Sequence, residues 1–514
     1  MTKIMALEDA VKMVRDGDNI WLSGGGGGIN DPEYLLAGIE HAFLNTGRPS
    51  GLTLYHSAGM GNKRGGGADH FAHKGMVRKV VGSHWTWSVK MQKLAMDNQI
   101  EAYVLPQGVM TQLVREIAGG RPGLITKTGL HTFVDPRIEG GRVNECSKES
   151  LSFLFTENIN DYIFYKSFHL DVALFRGSIA DENGNVSFED EGLVTEALSQ
   201  AQAVKNCGGL VICQVKQVVK QGDILPGSVA VPGILVDAVV VDPAQRMSMK
   251  TEYDEILSGK RTGPMPGSAR MPQDNRKVMA KRAAKELSGG DIVNLGFGVP
   301  AGVGKVLEEG GCRTDIHLSL EQGIIGGIPA TGTDFGIAYN PQAIICETNQ
   351  FDWYDGGGLD VAVLSFAEFD RHGNVNVSKF NHVVNGVGGF INISQSAKRV
   401  IFTGTFTAGG LDEVCSGGKL EIVHEGKISK IVKEVQQISF SGQYARETGQ
   451  KVLFVTERAV FSLTERGIEL LEIAPGIDLE RDVLRLMEFS PAISHSLKTM
   501  DASLFEDMPL KLSI

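Results

Sequence analysis

The chain has 514 residues, of which 42% are hydrophobic and 22% charged, and a net charge of −11. That length allows two or more domains with ample cores, and the acidic balance argues against a nucleic-acid surface. No uncharged run is long enough to span a membrane, and the acids within MTKIMALEDAVKMVRDGD are unlike a signal peptide.

In chain order, that first stretch spaces its apolar residues as an amphipathic helix does, ending at Gly17-Asp18. The strand NIWLS follows, then the glycines Gly24 to Gly28, which lack the Lys-Ser/Thr pair of a phosphate-cradling P-loop. After LYHSAG at 54–59 and the loop KRGGGA comes Asp69-His70-Phe71-Ala72-His73. These histidines have no HExxH spacing and no third evident ligand, so they are expected to be solvated or capping groups, not metal ligands. The six cysteines share no CxxC pair and are expected to be reduced thiols.

From 244 to 275 the chain is polar and rich in Pro and Gly, without sustained periodicity, and is expected to link a domain over 1–243 to one over 276–514. A helix, Gly290-Asp291, the strand IVNL and Gly296-Phe297-Gly298-Val299-Pro300 follow. The third glycine of a dinucleotide fingerprint is replaced by Ala301 and no acid closes a βαβ unit at the right distance, so NAD or FAD is not expected. Next comes IHLSL, alternating as a short strand does, and then the single carboxylate Glu321. Gln322-Gly323, Gly326, Gly327 and Pro329 break the strand and let the backbone approach a ligand closely.

The chain is written twice. Asp18 and Asp291 lie 291 − 18 = 273 positions apart in matching contexts; LYHSAG and LSLEQG are separated by 264, which sets Ser57 opposite Glu321. LDVALFRGSIADENGNVSF at 170–188 matches LDVAVLSFAEFDRHGNVNV at 359–377 with a separation of 189. Two α/β halves of one plan are expected, with the chemistry retained in the second.

Taken together, these residues resemble the family I CoA-transferases, closest to the single-chain propionate or acetate type. The likeness rests on the paired halves, Glu321-Gln322-Gly323, Leu105-Pro106-Gln107-Gly108, Asn294 to Pro300, Gly386 to Ile393 and the run from 455 to 484. It implies two related open α/β domains from an internal duplication with the active site between them, and ping-pong transfer of CoA between short-chain acyl thioesters and carboxylates. Glu321, with a reference pKa near 4.3, is then the nucleophile and needs no general base. Gln107 and backbone N–H groups of Gly388 and Gly389 are the expected oxyanion donors, and Gly386, Gly388, Gly389, Phe390 and Lys379 the expected CoA contacts. Coenzyme A serves as substrate and covalent intermediate, with no metal or tightly bound cofactor; a cytoplasmic homo-oligomer, dimer or tetramer, is expected. The alternatives are an acyl-CoA hydrolase using the same carboxylate and a non-catalytic ligand-binding protein of similar fold. Two departures from the family pattern, His131 within TKTGLHTF and the segment FNHVVNG, are expected to narrow the acyl pocket.

Overall fold

The computed structural model describes residues 3–264, 270–312 and 316–512. Eight parallel strands make the first sheet: β1 (Lys3–Ile4), β2 (Asn19–Leu22), β3 (Leu52–His56), β4 (Val77–Gly82), β5 (Glu101–Tyr103), β6 (Val172–Arg176), β7 (Leu210–Val215) and β8 (Ala238–Val241). Their spatial order is β1-β8-β7-β6-β2-β3-β4-β5. The centre of the second sheet is also parallel, in the order β10-β9-β11-β12-β13, where β9 is Ile292–Leu295, β10 His317–Leu320, β11 Val361–Ser365, β12 Arg399–Thr403 and β13 Lys451–Val455. Further strands widen it to ten. The runs VALF and VAVL that open two of these strands are apolar at successive positions because both faces of a parallel sheet are covered.

The repeat seen in the sequence is a repeat of strand register. Asn19 pairs with Thr53 and Ile292 with His317; Ile20 pairs with Val172 and Val293 with Val361. The small sheets agree, with Ile179 opposite Ser187 and Glu368 opposite Asn376. One apolar core contains residues of both halves, from Ala10 to Leu510.

Three local expectations change. The first stretch is not one helix: Lys3–Ile4 pairs with Ala238–Val239 as an edge strand, and only Leu7–Val11 is helical. His70 and His73 are only partly solvated and are paired with acids, His70 with Glu33 (2.8 Å) and Glu40 and His73 with Glu40 (2.6 Å). Residues 265–269 of the expected linker lie outside the described residues. From 244 to 264 it has no helix or strand, yet it is packed as a strap: Met247 and Leu257 join an apolar cluster with Ile29, Leu193 and Leu320. Arg176, paired with Glu191 at 2.7 Å, also donates to the Met247 carbonyl, and Ser248 Oγ donates to Asp334 at 2.6 Å.

Helix α1 (Gln107–Ala118) belongs to the first half and is buried against the second. Arg115 and Gln112 reach Asp352, Gln112 also reaches Asp355, and Gly108 N–H donates to Asn392 Oδ1 at 3.1 Å. These contacts fix the residue that opens the helix, Gln107, at the seam.

Candidate active site

Glu321 directly follows β10, at the carboxyl end of a parallel sheet, where side chains of open α/β folds face a crevice. It is 9% exposed. Asn294 on neighbouring β9 donates to its Oε2 at 3.4 Å, and Gln322 Nε2 to its Oε1 at 3.0 Å. Asn294 is itself placed by Ser319 and by the Tyr354 hydroxyl, which donates to Ser319 Oγ at 2.7 Å. Burial pushes the Glu321 pKa upward, and the hydrogen bonds from its own backbone N–H, Asn294 and Gln322 oppose this only in part. The reference value taken from the sequence is thus too low for this carboxyl: it is poorly solvated and more basic than an exposed glutamate.

Gln107 lies across the seam from Glu321. Its backbone N–H donates to the Gly388 carbonyl at 3.0 Å, and its Nε2 donates to Glu347 Oε1. The glycine loop closes the gap between them. A methyl built on Gly388 would stand 3.3 Å from Gln107 Oε1, and one on Gly389 would stand 3.1 Å from Glu321 Cγ. Gly386 and Gly388 have φ of 77° and 53°, the left-handed region that glycine enters without a Cβ clash.

Within this loop the N–H groups of Gly386, Val387, Gly388 and Phe390 are engaged, by Ser378, Ser83, Ser83 and Val387 carbonyls. Gly388, nominated from sequence as a backbone donor, is therefore corrected: its N–H is held by Ser83 at 3.0 Å, leaving the Gly389 N–H without an acceptor among the described residues.

The three groups open onto a cavity of about 1070 Å³ formed between the halves. Gly386, Gly388, Gly389 and Phe390 line it, as do Ala58, His84 and Trp87 on the first-half side. Lys379 does not; its strand Lys379–Phe380 turns Phe380 to the cavity, while the Lys379 ammonium acts on Glu139 outside it. The cations that do line the cavity are Lys63, Arg276, Lys305 and Lys430. Lys430 lies over the Phe366 ring at 4.4 Å, and burial pushes its pKa down to about 8. His131 is also outside the cavity lining, 3.7 Å from Glu447 and with φ of 60°, in the left-handed region. The expected narrowing by His131 therefore has no support, whereas Phe380 and Asn385 of FNHVVNG do reach the wall. Asn294 and Glu347 were legible in part, each a lone polar residue in or after an apolar strand (IVNL, AIICE). The cavity lysines carried no local signal.

Residues 4–242 match the family model described as Coenzyme A transferase. The chain is 45% identical over 515 residues to the caffeate CoA-transferase of Acetobacterium woodii, covering 99% of this chain and 98% of that protein. It is 43% identical to the acetate CoA-transferase YdiF of Escherichia coli K12, covering 98% and 95% of the two chains. A crystal structure of the acyl-CoA transferase YdiF from E. coli O157:H7, described as a thioester complex with CoA, superposes with a TM-score of 0.95 at 41% identity, covering 100% of this chain and 98% of that one. The chain thus belongs to the coenzyme A transferase family and moves coenzyme A between acyl thioesters and carboxylates.

Proposed function

We propose that the enzyme works on short-chain acyl-CoA thioesters and carboxylates such as acetate, propionate or butyrate, by a ping-pong route through a CoA thioester on Glu321. The observation that carries this reading is the convergence of Glu321, the Gln107 amide and the unoccupied Gly389 N–H on one cavity. A Glu321 carboxylate oxygen attacks the thioester carbonyl, and the oxyanion formed is met by Gln107 and Gly389. The C–S bond breaks, giving an acyl-glutamyl anhydride and CoA thiolate. The thiolate then attacks the glutamyl carbonyl, the anhydride C–O bond breaks, and the first carboxylate leaves with CoA held as a thioester on Glu321. An incoming carboxylate runs the sequence backward. No acid–base group is consumed, in keeping with a site in which Glu321 faces amides and not a histidine.

For the CoA phosphates the cavity lysines replace Lys379. Gly404 directly follows β12, three strands from β10, and a methyl there would lie 2.9 Å from Lys430 Nζ. At about 4.8 Å per strand this sets Lys430 about 14 Å from the Glu321 strand, the scale of an extended pantetheine arm. Lys305 and Arg276, also from the second half, line the same cavity. The division into 1–243 and 276–514 then has a functional meaning, the first domain supplying Gln107 and the second the nucleophile and CoA channel. A homo-oligomer is supported by the hairpin Ser152–Lys166, whose Phe153, Phe155 and Ile159 are 46%, 42% and 96% exposed. Six free thiols fit a reducing, cytoplasmic setting.

The test is intact-chain mass spectrometry after mixing with acetyl-CoA or propionyl-CoA without an acceptor. A CoA adduct mapping to the Glu321 peptide, discharged by acetate and absent in Glu321→Ala, is expected. Steady release of CoA with no adduct would instead identify a hydrolase. A screen of acetate, propionate, butyrate and caffeate as acceptors tests the acyl range, and caffeate far exceeding acetate would overturn the short-chain assignment.

A further inference from the structure

We propose that Glu347, seated beside Glu196 beneath the oxyanion site, is a positioning residue. Its carboxyl accepts one N–H of the Gln107 amide and so aims the other at the thioester oxygen. The inference rests on the role given above to Gln107. A primary amide has two N–H bonds in one plane at a fixed angle, so holding one direction sets the other.

Glu347 opens the helix Glu347–Trp353 and is 1% exposed. Its Oε1 takes the Gln107 Nε2 proton across the seam, while the Gln107 backbone is pinned by Gly388. Glu347 N–H donates to the Thr195 carbonyl at 3.3 Å, and Cys346 Sγ to the same oxygen at 3.1 Å, which brings Glu347 against Glu196. Glu196 is fully buried; its Oε1 accepts from Trp21 Nε1 at 2.7 Å and Ser23 Oγ at 3.1 Å. Its Oε2 makes no hydrogen bond of normal geometry, although the Ser57 hydroxyl acts on the same carboxyl, and the hydroxyl of the preceding Thr195 has no partner.

Among the described residues no lysine or arginine acts on Glu347 or Glu321, and the side chains that donate to Glu196 are the neutral Trp21 and Ser23. Buried carboxyls that face each other without a cation do not all ionise. Burial, then the Glu196 charge, pushes Glu347 well above the usual carboxylate range, and burial pushes Glu196 up as well. Both shifts favour the neutral carboxyl, the form in which Glu347 meets Gln107 with a carbonyl oxygen. It orients the amide without setting a negative charge beside the oxyanion that Gln107 serves. A glutamine at 347 has the same shape and offers the same oxygen; an aspartate keeps the carboxyl and withdraws it by one methylene.

Three variants decide the matter, each read as kcat and acyl-CoA KM alongside thermal unfolding. Glu347→Gln is expected to keep kcat within about threefold of wild type, whereas Glu347→Asp and Glu347→Ala lose about 10²-fold in kcat with little change in KM, the scale of one oxyanion donor. In the cycle with Gln107→Ala, which alone is expected to lose about 10²- to 10³-fold, adding Glu347→Ala costs almost nothing further, because both act through one amide. Multiplying losses, or Asp outperforming Gln, would overturn the inference, and the Gln–Asp ranking decides it even if the alanine variant does not fold. A folded Gln107→Ala with full activity would remove the donor assignment itself and this inference with it. A damaged Gln107→Ala beside an active Glu347→Ala would remove the inference alone.

Discussion

Gly389→Ala separates the space around Glu321, the proposed nucleophile, from the donor it is proposed to face. The backbone at Gly389 has φ −77° and ψ −3°, which alanine adopts freely, and the variant keeps its N–H. The new methyl would stand 3.1 Å from Glu321 Cγ, 3.1 Å from Phe351 Cζ and 3.0 Å from Ile393 Cδ1. Ordinary carbon contacts lie at about 3.5–4.0 Å, so Glu321 or its neighbours must yield by about half an ångström. Since about 1 Å of misplacement can cost about 10²-fold, kcat is expected to fall about tenfold, with overpacking costing about 1–3 kcal/mol of stability. Gly388→Ala provides the contrast: φ is 53°, so the strain of about 1–2 kcal/mol is in the backbone, and the methyl meets Gln107 Oε1 at 3.3 Å instead of Glu321. Steady-state transfer from acetyl-CoA to propionate, adduct formation by mass spectrometry and thermal unfolding should be read together. Full kcat and unchanged unfolding in Gly389→Ala would refute the close approach of this glycine to Glu321.

With Glu321 as the proposed nucleophile, the acid side of the pH profile is expected to report its carboxyl, since only the ionised form attacks. Asn294→Ala removes a hydrogen bond that favours that form, so the acid limb of kcat/KM should move to higher pH; a limb that stays in place or moves down contradicts the site as described. Lys430→Met should raise the KM for acyl-CoA by about 10- to 100-fold, the worth of a hydrogen bond to a charged group, while leaving the KM for acetate near wild type, and Lys379→Met should alter neither. The reverse pattern would return the phosphate contact to Lys379. Arg176→Ala should destabilise the fold by about 3–5 kcal/mol, because it strands Glu191 in a pair whose side chains are each 3% exposed and releases the strap at Met247; unfolding by denaturant measures it.

The offsets 273, 264 and 189 could be read along the chain because strand alternation and turn residues are local signals, and hydrogen-bonded register preserves them. Glu321 was legible for the same reason, being the one carboxylate at the end of a strand whose counterpart ends in Ser57. The loop at Gly386–Phe390 was legible as a loop, but not which of its N–H groups stays free. That depends on the Ser83 carbonyl, some 300 positions earlier, which captures Val387 and Gly388 and spares Gly389. Likewise a lysine in a polar stretch looks the same wherever it points: Lys379 and Lys430 were told apart only once the sheets had set one outside the cavity and the other over Phe366. Glu347 and Glu196 lie 151 positions apart, and their shared burial under Gln107 follows from the packing of one half on the other. Local hydrogen-bonding and turn preferences act over a few residues and are written in the sequence; competition for partners and loss of solvent act between groups distant along the chain, and only the tertiary structure decides them.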